Sequence, residues 1–123
     1  MKTILVIDDD DLIREMMAGV LKNAKYVVMS AENGNVGIDH IKKISVPDLV
    51  ITDILMPDKE GLETISEIKE INPNIKIIAM SGGGQAKDMT FLDLAKHMGA
   101  HHTLKKPFRP GLLLETVEKV LES

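Results

Sequence analysis

Four consecutive aspartates, Asp8 to Asp11, stand directly after the apolar segment Ile4-Leu5-Val6-Ile7. A second apolar run, Leu49-Val50-Ile51-Thr52, also ends in a carboxylate, Asp53. Two strands that finish in this way can bring their carboxylates together at one edge of a sheet. Carboxylates gathered there repel one another, so they call for a divalent cation or a nearby lysine. An acidic site of this kind suits phosphate chemistry.

Such a site needs strands to carry it, and the chain alternates short β-branched runs with amphipathic stretches throughout. Residues 3–7, 26–30, 48–52, 75–80 and 101–104 read as strands. Between them the apolar positions switch to helical spacing. The stripes are Ile13, Met16, Met17, Val20 and Leu21; Ile38, Ile41 and Ile44; and Leu62, Ile65 and Ile68. Two more follow, Leu92, Leu94, Ala95 and Met98, then Leu113, Val117, Val120 and Leu121. Asn33-Gly34, Pro47, Pro57, Gly61, Asn72-Pro73, Gly82-Gly83-Gly84 and Pro107 break the pattern where elements should end. Five βα units in this order imply an α/β fold, a doubly wound parallel sheet with helices on both faces. In the 2-1-3-4-5 strand order the crevice opens beyond the carboxyl ends of strands one and three. Asp8, Asp9 and Asp53 follow those strands, the loop after strand four supplies Ser81, and the loop after strand five supplies Lys106.

With 123 residues the chain fits one domain, 1–123, with no linker or repeat. Tyr26, Phe91 and Phe108 are its whole aromatic complement, so the core must be aliphatic. A net charge of -4 offers no long-range attraction to nucleic acid or anionic membranes. The absence of cysteine excludes disulfide and thiolate chemistry. The apolar start is cut off by the aspartates too early for a signal peptide or a membrane span, so a soluble, cytoplasmic protein is expected.

The ordered motifs Ile4-Leu5-Val6-Ile7-Asp8-Asp9, Pro47-Asp48-Leu49-Val50-Ile51-Thr52-Asp53-Ile54-Leu55-Met56-Pro57, Ser81-Gly82 and Lys106-Pro107-Phe108 resemble those of two-component response regulator receiver domains. The resemblance spans essentially the whole chain and implies the flavodoxin-like (βα)5 fold. It implies that Asp53 takes a phosphoryl group from a phosphohistidine on a histidine kinase or histidine phosphotransfer protein. It implies Mg²⁺ held by Asp9 directly, by Asp8 directly or through water, by Asp53 and by the backbone carbonyl of Leu55. Lys106 would pair with Asp53 at rest and with the phosphoryl oxygens afterwards, from a cis Lys106-Pro107 peptide. Ser81 would move to hydrogen-bond the phosphoryl group, changing the face formed by helix four, strand five and helix five.

Some residues depart from that pattern. Thr103 stands where the family often has Tyr or Phe, so the glycines 82–84 are expected to carry more of the conformational change. Leu55 and Gly83 offer no polar side chain to orient a hydrolytic water, which implies a longer-lived phosphoryl group. Other residues have plainer readings. Asp10 and Asp11 suit the start of a helix, where carboxylates accept from free N–H groups. His97, His101 and His102 read as a solvated strand end rather than a metal site, since adjacent histidines on a strand point to opposite faces. The triple glycine lacks the lysine and spacing of a P-loop.

The expected function is a phosphoacceptor switch, not an enzyme with an independent substrate, and with no output domain its signal would pass to an unknown protein target. One alternative is a haloacid-dehalogenase-type phosphohydrolase with Asp8 as nucleophile and Asp10 as acid; the phosphorylated residue, Asp8 or Asp53, separates the two. Another is a receiver-like interaction module that is never phosphorylated.

Overall fold

The computed structural model describes residues 1–54, 61–82 and 93–123. Five parallel strands form one sheet in the order β2-β1-β3-β4-β5. In chain order the elements are β1 (Thr3–Ile7), α1 (Asp11–Asn23), β2 (Val27–Ala31), α2 (Gly34–Lys43), β3 (Leu49–Asp53), α3 (Gly61–Ile71) and β4 (Lys76–Ser81). A helical segment at residues 93–97, here α4, precedes β5 (His102–Lys105) and α5 (Pro110–Glu122).

The pleat alternates side chains between two apolar layers. Ile4, Val6, Leu49, Ile51 and Leu104 pack with Met17 and Leu21 of α1 and with Leu113 and Val117 of α5. Leu5, Ile7 and Val50 pack on the opposite face with Ile38 and Ile41 of α2 and Ile65 and Ile68 of α3. Each such buried aliphatic chain contributes about 1.5–3 kcal/mol relative to exposure. A one-residue register slip would exchange the two layers, so the strand ends are held in place.

The five strands and their order are as expected, but β2 to β5 each run one residue nearer the carboxyl end. Local hydrogen bonds explain the offset. The Tyr26 amide donates to Leu21 O and the Ile75 amide to Asn72 O, so both are spent in turns. At the start of β5 a side chain replaces the backbone: His101 N donates to Ile77 O, but Ile77 N donates to His101 Nδ1 at 3.1 Å. At the carboxyl ends Ile54 N donates to Met80 O and Lys106 N to Ser81 O, so Asp53 and Ser81 are the last residues of β3 and β4, not members of the loops beyond them.

Four of the five helical stripes hold with local exceptions; in the fourth, Ala95 is the buried member among the described residues and Leu92 lies outside them. Ile44 lies beyond the end of α2 and is exposed, as are Met16, Leu94 and Met98. Asp10 caps α1, accepting from Leu12 N and Ile13 N, and Asp11 lies in its first turn, as expected of both. Gly99, at φ 122, turns the chain from α4 toward β5 in a conformation that L side chains rarely adopt. No helix among the described residues is long and apolar enough to cross a membrane.

His101 makes that β4–β5 junction sensitive to acid. Burial first, then the charges of Lys69 and Lys76, lower its pKa below the ordinary 6.5. Only the neutral ring accepts the Ile77 N–H, so its contribution is present above about pH 6.5 and lost as pH falls through the lower folded value. The melting temperature of the wild type should therefore drop between pH 7 and pH 5 more than that of His101→Asn, whose amide oxygen can accept the same N–H without titrating. Parallel pH profiles from thermal melts would contradict this.

Candidate functional site

β1 and β3 are adjacent, with Ile7 opposite Thr52, so their carboxyl ends lie side by side. Pleat alternation carries Asp8 onto the face of Ile4 and Val6, Asp53 onto that of Leu49 and Ile51, and Lys106 onto that of Leu104. All three are the α1/α5 face. The result is direct contact: Lys106 Nζ donates to Asp53 Oδ2 at 2.6 Å and to Asp8 Oδ2 at 2.7 Å. Lys105 takes the opposite parity and is exposed. The Lys106-Pro107 peptide is cis.

Carboxylate oxygens of Asp8, Asp9 and Asp53 lie within 4.8 Å of one another. Asp8 is wholly buried, Asp53 is 6% exposed, and Asp9 stands in solvent. Burial alone would lower the Lys106 pKa; hydrogen bonds to Asp53 and then Asp8, with their charges, outweigh it and raise the ammonium above its ordinary value. One ammonium against three carboxylates leaves two net negative charges, matched to a divalent cation. The donors are all hard oxygens, and an octahedral Mg²⁺ with ligands near 2.1 Å needs them roughly 3–4 Å apart. The cluster lies close to that spacing, so the residues fit the ion.

Asp8 has both oxygens engaged, since its Oδ1 also accepts from the Asp10 amide at 2.9 Å. Asp10 in turn caps α1.

A family model, the response regulator receiver domain, matches residues 4–118. The chain belongs to the response regulator receiver domain family. It is 36% identical over 120 residues to the chemotaxis protein CheY of Thermotoga maritima, covering 97% of each chain. Against CheY of Bacillus subtilis it is 38% identical over 119 residues, covering 96% of each. A solved CheY-like receiver domain protein from Methanospirillum hungatei superposes with a TM-score of 0.90 at 28% identity, over 99% of this chain and 94% of that one. This receiver is thus a CheY-like member of the two-component signalling family, and the phosphohydrolase alternative falls away.

Of the site residues expected from sequence, Asp8, Asp9, Asp53 and Lys106 come together in this receiver. Ser81 ends the neighbouring strand, fully buried, and its Oγ has no hydrogen-bond partner among the described residues. Leu55 and Gly83 lie outside the described residues. His97, His101 and His102 form no metal-ligating group among the described residues, where Asp8, Asp9 and Asp53 are the group found.

Two residues that matter here carried no chemical signal in the sequence. Arg14 Nη1 donates to the backbone oxygen of Asp8 at 2.7 Å, and its Nη2 pairs with Asp11. Its place one helical turn after Asp10 was the available clue. Gly61 was legible only as a breaker; it presses against the backbone of Asp53 and Ile54.

Proposed function

We propose that Asp53 is the phosphoacceptor of this receiver. The observation that carries the reading is the Lys106 ammonium bridging Asp53 and Asp8, with Asp9 beside them. A carboxylate oxygen of Asp53 attacks the phosphorus of a phosphohistidine. The P–N bond breaks with its electron pair left on the donor imidazole, and an acyl phosphate results. Lys106 holds the Asp53 carboxylate at rest and then meets the phosphoryl oxygens. Asp8, Asp9 and Asp53 would hold Mg²⁺, with the Leu55 carbonyl as the further ligand that the resemblance implies. When bound, the ion supplies charge to offset the repulsion between an anionic phosphoryl group and an acidic site.

The hydroxyl of Ser81, unpartnered among the described residues, supports its assignment as the group that turns toward the phosphoryl oxygens. That movement would alter the face built by α4, β5 and α5 and so change which proteins bind. The donor is a histidine kinase or histidine phosphotransfer protein, the target is a protein rather than nucleic acid or membrane, and the setting is the cytoplasm. The chemistry proposed for this receiver is its own phosphorylation.

Incubation with acetyl phosphate and Mg²⁺, followed by intact mass, tests the assignment. The wild type should gain one phosphoryl adduct and Asp53→Ala none. An adduct retained in the variant, above all one mapped to Asp8, would overturn it.

A further inference from the structure

Asp9 is the exposed member of the carboxylate cluster, so its aim depends on the two peptide units that flank it. The unit before it begins at the Asp8 carbonyl, to which Arg14 Nη1 donates at 2.7 Å. The unit after it ends at the Asp10 amide, which donates to Asp8 Oδ1 at 2.9 Å. Both units are therefore tied, one of them by a side chain from the first turn of α1. Arg14 is itself held: Nη2 pairs with Asp11 and its backbone amide donates to Asp10 O at 3.0 Å. Its side chain is only 18% exposed, so most of it is packed into this corner.

We propose that Arg14 is a positioning residue for the divalent-cation site, setting the direction of the Asp9 carboxylate through the Asp8 peptide. The inference deepens the reading of the site as a Mg²⁺-dependent phosphoacceptor and rests on it. Geometry and charge make opposite predictions. A guanidinium bonded to a residue that carries a ligand repels an incoming cation, so its charge alone should weaken Mg²⁺ binding. Its hydrogen bond should strengthen binding by keeping Asp9 aimed, as outer-shell partners of metal ligands do. The forked guanidinium reaches Asp8 and Asp11 at once, which a lysine cannot do.

Mg²⁺ titration of the unphosphorylated full chain, followed by calorimetry or amide chemical shifts, separates the two. Arg14→Met should raise the Mg²⁺ Kd by about tenfold. Arg14→Lys keeps the charge and one donor, so any loss there is positional, and it should fall between the other two. Hydrogen exchange of the Asp10 amide should quicken in the Met variant without Mg²⁺. Should Arg14→Met fail to fold, Arg14→Lys carries the same test against wild type. Mg²⁺ binding that is unchanged or tighter in the folded variants overturns the proposal while leaving the phosphoacceptor reading intact. A wild type that binds no Mg²⁺ removes both.

Discussion

Replacing Lys106 with methionine is expected to cost this receiver about 3 kcal/mol of stability at neutral pH in the presence of chelator, and added Mg²⁺ should recover much of it. The lysine side chain is 14% exposed and its two partners less so, at 0% for Asp8 and 8% for Asp53. Removing the ammonium leaves two carboxylates buried side by side without the cation that bridged them. Breaking a buried pair this way costs about 3–5 kcal/mol, and the solvent reaching Asp9 argues for the lower figure. Methionine preserves most of the stem, so the loss reports charge rather than packing. A divalent cation held by the same carboxylates replaces the missing positive charge. For the wild type, the raised Lys106 pKa means the ion pair's contribution is complete below about pH 10.4 and fades as pH rises through the folded value. Urea unfolding of both proteins with chelator and with Mg²⁺ measures the effect. An equal loss in both buffers would show that the lysine acts by packing, not by balancing Asp8 and Asp53.

The sheet was legible because β1, β3 and β4 are buried on both faces and read as short apolar runs between breakers, as Ile4 to Ile7 does. What periodicity could not resolve was where each strand stops. The bonds that take Tyr26 and Ile75 into turns are local but follow no apolar period, and the His101 ring that stands in for backbone at the head of β5 is a tertiary fact. At the carboxyl ends Ile54 N donates to Met80 O and Lys106 N to Ser81 O, which keeps Asp53 and Ser81 in the ladder and holds their backbones more rigidly than a loop would. At the site, Asp53 and Lys106 were readable as motif residues, but the second bond of Lys106, to Asp8, joins positions 98 apart in sequence. That contact turns a resting ion pair into a bridge across β1 and β3. Arg14 was invisible for another reason: an arginine on a helix is usually a solvated charge, and only the observed bond to Asp8 O says otherwise.

Gly61→Ala carries the other large effect. It is expected to destabilise the receiver by about 3 kcal/mol and to slow phosphorylation from acetyl phosphate well beyond that of the wild type under identical folded conditions. Gly61 opens α3, and its amide donates to Ile54 O at 3.1 Å, so the helix start is drawn onto the end of β3. A Cβ there would lie 2.3 Å from both Asp53 O and Ile54 Cα. Both are backbone atoms of the strand end that presents the phosphoacceptor, and neither can rotate away. Relief requires α3 to retreat or the Asp53 backbone to shift, and a shift would disturb the grip of Lys106 on Asp53. Gly37 is the informative contrast. A Cβ at Gly37 would come within 2.4 Å of Ile7 Cδ1, the far end of a flexible side chain. Gly37→Ala should thus cost about 1 kcal/mol and leave phosphorylation close to wild type. Chemical denaturation and acetyl phosphate kinetics on both variants compare the two glycines directly. Equal behaviour of the pair would mean that the approach of α3 to the Asp53 backbone does not constrain the acceptor.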